Sequence, residues 1–160
     1  MTLPQLYPQS FLDWASAVNN IASAVTSQSG ILLGYVYQTD MSDVSLEYGV
    51  NLAPISDLEL EVIVPNSGLM QITLQAMVAR ATGSGGVHMG VTLGHSGPAL
   101  RTARQFISTT SPRMYEFNIL IELEPGSTAN LVGGARTDSN TTGLLYRSSG
   151  VGCLFMVRAL

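Results

Sequence analysis

From Ile31 to its end this chain alternates apolar and polar residues with a period of two, and that rhythm restricts it to β-structure. Leu58, Leu60, Val62 and Val64 alternate with Glu59, Glu61 and Ile63. Met70, Ile72, Leu74, Ala76 and Val78 alternate with Gln71, Thr73, Gln75 and Met77. Val87, Met89, Val91 and Leu93 stand opposite His88, Gly90 and Thr92, and Tyr115 to Leu123 repeats the pattern. Pro65-Asn66-Ser67-Gly68 and Pro125-Gly126 separate these runs, because proline cannot continue a central strand. A further strand is expected over Thr128–Ala135, with shorter ones at Ser45–Tyr48, Arg104–Ser108 and Gly143–Tyr146. Many short strands with turn signals between them predict an antiparallel sandwich or jelly roll.

Two runs break the alternation. Ile31-Leu32-Leu33-Gly34-Tyr35-Val36-Tyr37 and Val151 to Val157 are apolar on both parities. Antiparallel strands usually turn one face to water. A first and a last strand without a polar face therefore predict one sheet with a core side and a subunit-contact side. Leu33, Tyr35, Leu154 and Met156 are the expected contact residues.

The first thirty residues read differently. Residues 1–9 hold two prolines and no periodicity, which predicts an extended arm whose Leu3, Leu6 and Tyr7 would dock on another protein or fold back on the chain's own domain. Over 10–29 a helix is expected. Ser10 is a suitable N-cap with Asp13 three residues on, and Gly30 a suitable stop. Phe11, Trp14, Val18, Ile21 and Val25 form a stripe that keeps a seven-residue period, the pattern of an oligomer seam. About four turns are too short to be stable alone, so this helix must pack on sister helices or on its own β-domain. The expected organisation is an anchoring arm (1–9), an oligomerisation helix (10–29) and a β-sandwich head (30–160).

Composition narrows the function. At 160 residues the chain holds one domain with a real core. Hydrophobic residues make up 46% and charged ones 11%, and all seven basic residues are arginine. So few charges leave Ser, Thr, Asn, Gln and Gly to cover the surface, with other subunits covering part of the rest; a GC-rich genome is the alternative source of an arginine-only surface. A net charge of −4 argues against nucleic-acid binding, which needs a basic stripe. No apolar run is long enough for a membrane helix. The N-terminus lacks the basic start and apolar stretch of a signal peptide, so classical secretion is not expected, and the acceptor pattern Asn140-Thr141-Thr142 reads as chance. The single cysteine, Cys153, excludes an internal disulfide and reads as a buried, inert thiol.

The order of parts resembles a known superfamily. Val64-Pro65-Asn66-Ser67-Gly68-Leu69-Met70, Leu123-Glu124-Pro125-Gly126-Ser127-Thr128-Ala129 and the closing Ser149 to Phe155 resemble segments of complement-head and tumour-necrosis-factor-like jelly rolls. Met70 departs from that pattern, which commonly has an aromatic there, and the family's calcium ligands have no counterparts. The resemblance implies a homotrimer with the first and last strands together in the sheet at the threefold axis. Heads of this kind on a short arm and helix also look like tailed-bacteriophage decoration proteins, head fibres and tail-fibre tips.

No active site is expected. Gly94-His95-Ser96-Gly97 superficially resembles a serine-nucleophile turn, but the only other histidine, His88, lies on the same hairpin, leaving no separate base and acid. Two histidines without a cysteine make a poor metal set, although three copies of His88 at a symmetry axis would form one. Asp40 to Asp43 and Asp138 to Asn140 read as Asx turns rather than calcium loops. Glu59, Glu61, Glu116, Glu122 and Glu124 read as a solvated sheet face. Tyr35, Tyr37, Tyr48, Tyr115 and Tyr146 are of a type that stacks on sugars, though several sit at core parity. The resulting expectation is a non-enzymatic, homotrimeric structural protein of a phage virion, without cofactor or metal, held to capsid or tail proteins by its arm. Loops 80–86, 94–102 and 136–142 are expected to face outward, and the alternative is a receptor- or glycan-binding fibre tip of the same fold in which those loops carry specificity.

Overall fold

The structure, a computed structural model, describes residues 30–38, 41–107, 110–148 and 152–160. The arm and the seam residues Phe11, Trp14, Val18, Ile21 and Val25, like Leu3, Leu6 and Tyr7, lie outside the described residues. Ten strands run β1 (Ile31–Gln38), β2 (Val44–Leu46), β3 (Ala53–Ile63), β4 (Leu69–Thr82), β5 (Gly85–Leu93), β6 (Ala99–Ile107), β7 (Arg113–Glu122), β8 (Thr128–Thr137), β9 (Thr142–Tyr146) and β10 (Cys153–Ala159). The sandwich is the compact unit Leu32–Leu160.

One sheet is built on the long strand β4. β7 lines one edge of β4, while β10 pairs with Met70–Gln75 and β9 with Met77–Thr82 along the other. Outside them lie β1, next to β10, and β2, next to β9. β9 and β10 are thus one interrupted strand, and so are β1 and β2. The other sheet has the order β3-β8-β5-β6. With each interrupted strand counted once, the first lies beside the eighth, the eighth beside the third and the third beside the sixth. The second lies beside the seventh, the seventh beside the fourth and the fourth beside the fifth. That winding is a jelly roll, and it places the first and last strands side by side, as the sequence resemblance implies.

Alternation builds the core. Met70, Ile72, Leu74, Ala76 and Val78 of β4, Phe117 of β7 and Phe155 of β10 are buried against Leu58, Val87, Met89, Val91 and Leu131 of the facing sheet. The two turns at one end lock together. Val64 N–H donates to Ser127 O, Gly126 N–H to Val64 O and Leu123 N–H to Gly68 O. Gly68 has φ +73, and a Cβ there would lie 2.8 Å from Leu123 O, so only glycine suits the position.

The strand breaks are fastened by Arg147, which is 4% exposed. Its guanidinium donates to Gln38 Oε1 (3.0 Å) and Ser42 O (3.1 Å), while its backbone N–H donates to Asp43 Oδ1 (2.8 Å). That N–H is also the main reason the Asp43 carboxyl sits below its usual range. The Asp43 carboxylate thus accepts from Arg147 and Ser148 across the strand break, a long-range contact in place of the local Asx turn expected there.

Several sequence expectations are corrected. β6 begins at Ala99, five residues before the expected Arg104, because an arginine-rich edge strand hides the alternation. The outward loops shrink accordingly: 99–102 is strand, β4 continues to Thr82, β5 begins at Gly85, and Arg136 and Thr137 belong to β8. β3 starts at Ala53 and carries a bulge with Asp57 at φ 65, which masked the pattern before Leu58. Leu52 lies over the outer surface of the four-stranded sheet, where a Cβ on Gly90 would come within 2.7 Å of it.

Candidate assembly interface

Gly34 shows how β1 is oriented: a Cβ there would point at Leu60 of the facing sheet, 3.3 Å away. The opposite parity of β1, Leu33, Tyr35 and Tyr37, therefore faces outward. Tyr35 and Tyr37 are 61% and 57% exposed, and Leu33 is half-buried. Beside them β10 alternates strictly, with Cys153, Phe155 and Val157 inside and half-buried Leu154, Met156 and Arg158 outside. Tyr37 lies over Gly152, where a Cβ would collide with its ring at 2.2 Å. The four contact residues expected in the head, Leu33, Tyr35, Leu154 and Met156, thus share one face of the six-stranded sheet. That they form a subunit contact remains the proposal below.

The same face carries residues that the sequence pattern did not assign to a contact. Met77 of β4, Met114 and Leu120 of β7, and Leu144 and Tyr146 of β9 occupy its outward positions, with Met114 55% and Leu120 61% exposed. Their signal was present as apolar residues at the "polar" parity of otherwise regular strands. The expectation that several tyrosines sit at core parity fails for Tyr35, Tyr37 and Tyr48, all more than half exposed.

Between β4 and the edge strand β7 this face carries a polar ladder that satisfies itself. Thr73 Oγ1 donates to Asn118 Oδ1 (2.8 Å), and Asn118 Nδ2 donates to Glu116 Oε1 (2.7 Å). Gln75 Nε2 donates to the other carboxylate oxygen (2.6 Å). These amide donors, Asn118 first and Gln75 second, hold the Glu116 carboxyl below its usual range. A face whose polar groups already have partners can be covered at lower cost than one with free donors.

The opposite outer surface, that of the four-stranded sheet, is ionic. Asp138 receives the Gly86 N–H (2.7 Å), Arg104 Nη2 (2.5 Å) and His88 Nε2 (2.7 Å). Arg104 above all, then Gly86, keeps its carboxyl far below the ordinary range. His88 is held by Asp138 on the outer surface of the four-stranded sheet, not on the six-stranded face that carries Leu33 and Tyr35. His95 contacts Glu59 Oε2 (2.9 Å), and Asn130 also donates to Glu59. No serine joins either histidine in these contacts. Among the described residues no group of three or more His, Cys, Asp or Glu is placed to hold a metal. Cys153 is fully buried, and burial pushes its thiol up to about 12.

No protein-family model and no curated protein matches the chain. Among solved structures it is similar to the Eiger TNF of S. frugiperda, at 11% identity and TM-score 0.48, over 81% of this chain and 94% of that one. It is also similar to a chain of infectious bursal disease virus, Gx strain, at 14% identity and TM-score 0.39, over 79% of this chain but only 32% of the viral one. A third likeness, to CBM4, has 12% identity and TM-score 0.37, over 79% and 95% of the two chains. The class this chain defines, an antiparallel jelly roll, rests on its strand order; these likenesses add no functional statement.

Proposed function

We propose that this chain is a non-enzymatic structural protein of a virion, a homotrimer anchored through residues 1–9 to capsid or tail proteins. The observation that carries the assembly reading is the outward face of the six-stranded sheet, where Tyr35, Tyr37, Leu154 and Met156 lie beside amides already paired with one another. A threefold ring needs a head-to-tail contact between two different surfaces. The second surface is the lateral opening between edge strands β6 and β7, a cleft of about 280 Å³ lined by Leu69, Leu100 and Leu120 with Arg101 and Glu122 at its rim. Apolar side chains from the tyrosine face of one copy would fill that cleft in the next. The virion setting is supported by the sequence resemblance to phage decoration and fibre heads and by the charge-poor, lysine-free composition.

The test is the composition of purified particles. The chain should be present in multiples of three per attachment site, and deletion of residues 1–9 should leave a folded trimer that no longer incorporates. Incorporation at the normal level after the deletion would refute the anchoring role.

A further inference from the structure

At the end of the sandwich where β2, β4, β5, β8 and β9 meet, three segments border an open, shallow cleft of about 480 Å³. β2 delivers Glu47 and Tyr48, the β4–β5 hairpin Thr82 and Gly83, and the β8–β9 turn Asn140 and Thr142. We propose that this cleft binds a neutral saccharide, with one sugar ring stacked on Tyr48. The Tyr48 ring is 59% exposed, and its segment is held beside β8 through the Tyr48–Thr137 bridge. Glu47 and Asn140 are exposed acceptors and donors of the kind that pair with vicinal hydroxyls, and Thr82 and Thr142 share a hydroxyl contact of 2.6 Å at the wall. No arginine or histidine lines the cleft, and Glu47 brings a carboxylate, so the chemistry selects an uncharged polyhydroxyl ligand over an anionic one.

The walls are preorganised. Thr137 N–H donates to Glu47 O (3.0 Å), Thr137 Oγ1 to Thr141 O (2.6 Å) and Thr141 N–H to Asp138 O (3.2 Å). Asp138 is in turn fixed by Arg104, Gly86 and His88, so an ionic network braces the turn that presents Asn140. Asn140 is held at φ 59, a left-handed conformation that asparagine tolerates. Gly83 lets the hairpin press against that turn, since a Cβ there would overlap Asn140 O. Rigid walls spare a weak ligand the entropy of ordering loops.

This inference depends on neither the virion nor the trimer reading. The experiment is an NMR titration of the full isotope-labelled chain with glucose, galactose, mannose and N-acetylglucosamine and their neutral oligomers at millimolar concentration, with sialic acid as the anionic control. Saturable shifts at Tyr48, Thr82 and Asn140 are expected with at least one neutral sugar, and none with sialic acid. Tyr48→Ala should weaken binding at least tenfold and Tyr48→Phe far less, while Asn140→Gly, which keeps the backbone conformation, should weaken it severalfold. No saturable shift with any neutral sugar, or binding unchanged in a folded Tyr48→Ala chain, overturns the proposal. Assembled mass, measured on the same Tyr48→Ala sample, reports separately on the assembly reading.

Discussion

Replacing Tyr35 by aspartate separates the stability of one sandwich from the stability of its assembly. In the single chain the ring is 61% exposed. A tyrosine buries on the order of 200 Å² when fully covered, so about 120 Å² remains for a neighbour to cover. At ~25 cal/mol per Å² that amounts to about 3 kcal/mol for each contact. An ionised aspartate left unpaired in the contact costs more than the roughly 1–3 kcal/mol of a neutral polar group. The combined loss of at least about 4 kcal/mol corresponds to at least roughly three powers of ten in each association constant. Fold stability should change by only about 1 kcal/mol, since the site is exposed and aspartate is merely a poor strand former. Sedimentation velocity at micromolar concentration, run beside a thermal melt of the dilute protein, reads both quantities. Tyr35→Asp should sediment as a folded single chain and Tyr35→Phe as wild type. An unchanged assembled mass for a folded Tyr35→Asp chain would refute the reasoning.

Other outcomes follow from the interior and the ionic surface. Phe155→Ala removes a fully buried ring and should cost about 3–5 kcal/mol in urea unfolding, against well under 1 kcal/mol for Glu61→Ala on the exposed strand face. Gly68→Ala forces a Cβ to within 2.8 Å of Leu123 O at positive φ and should destabilise by roughly 1–3 kcal/mol; a neutral result would contradict the turn geometry. The Asp138 carboxyl is depressed in the folded state, so its contribution is complete above the ordinary value of 3.8 and fades as pH falls below it. The stability gap between wild type and D138N should therefore be constant near neutrality and narrow in acid, a trend that denaturant titrations at several pH values would detect. Cys153, buried with its thiol pushed up to about 12, should resist a thiol reagent in the native state and react at once in denaturant.

The sandwich was legible where both parities of a strand had distinct environments. Met70–Val78 and Tyr115–Leu123 have one face in the core and one outside, and their alternation located β4 and β7 to within a few residues. β6 was not legible in the same way. It is an edge strand that reads Ala-Leu-Arg-Thr-Ala-Arg-Gln-Phe-Ile, with Arg101 at the parity that points between the sheets. An edge can leave such a side chain in water, so the hydrophobic pattern that marks a central strand is not required there. The outward face of Leu33, Tyr35, Leu154 and Met156 was legible because two strands at opposite ends of the chain were apolar on the wrong parity. Its polar ladder was not, because Thr73, Gln75, Glu116 and Asn118 acquire partners only through the β4–β7 register. The Tyr48 cleft depends still more on topology. Glu47, Thr82 and Asn140 are far apart in sequence and meet only through the jelly-roll winding, and no local spacing announces them.

The most direct test of assembly through the six-stranded sheet is the solution mass of the full chain by sedimentation equilibrium. For a chain of 17.0 kDa, a single species at three times that mass, persisting at micromolar concentration, is the predicted result. A species that remains at 17.0 kDa across the same range would contradict it.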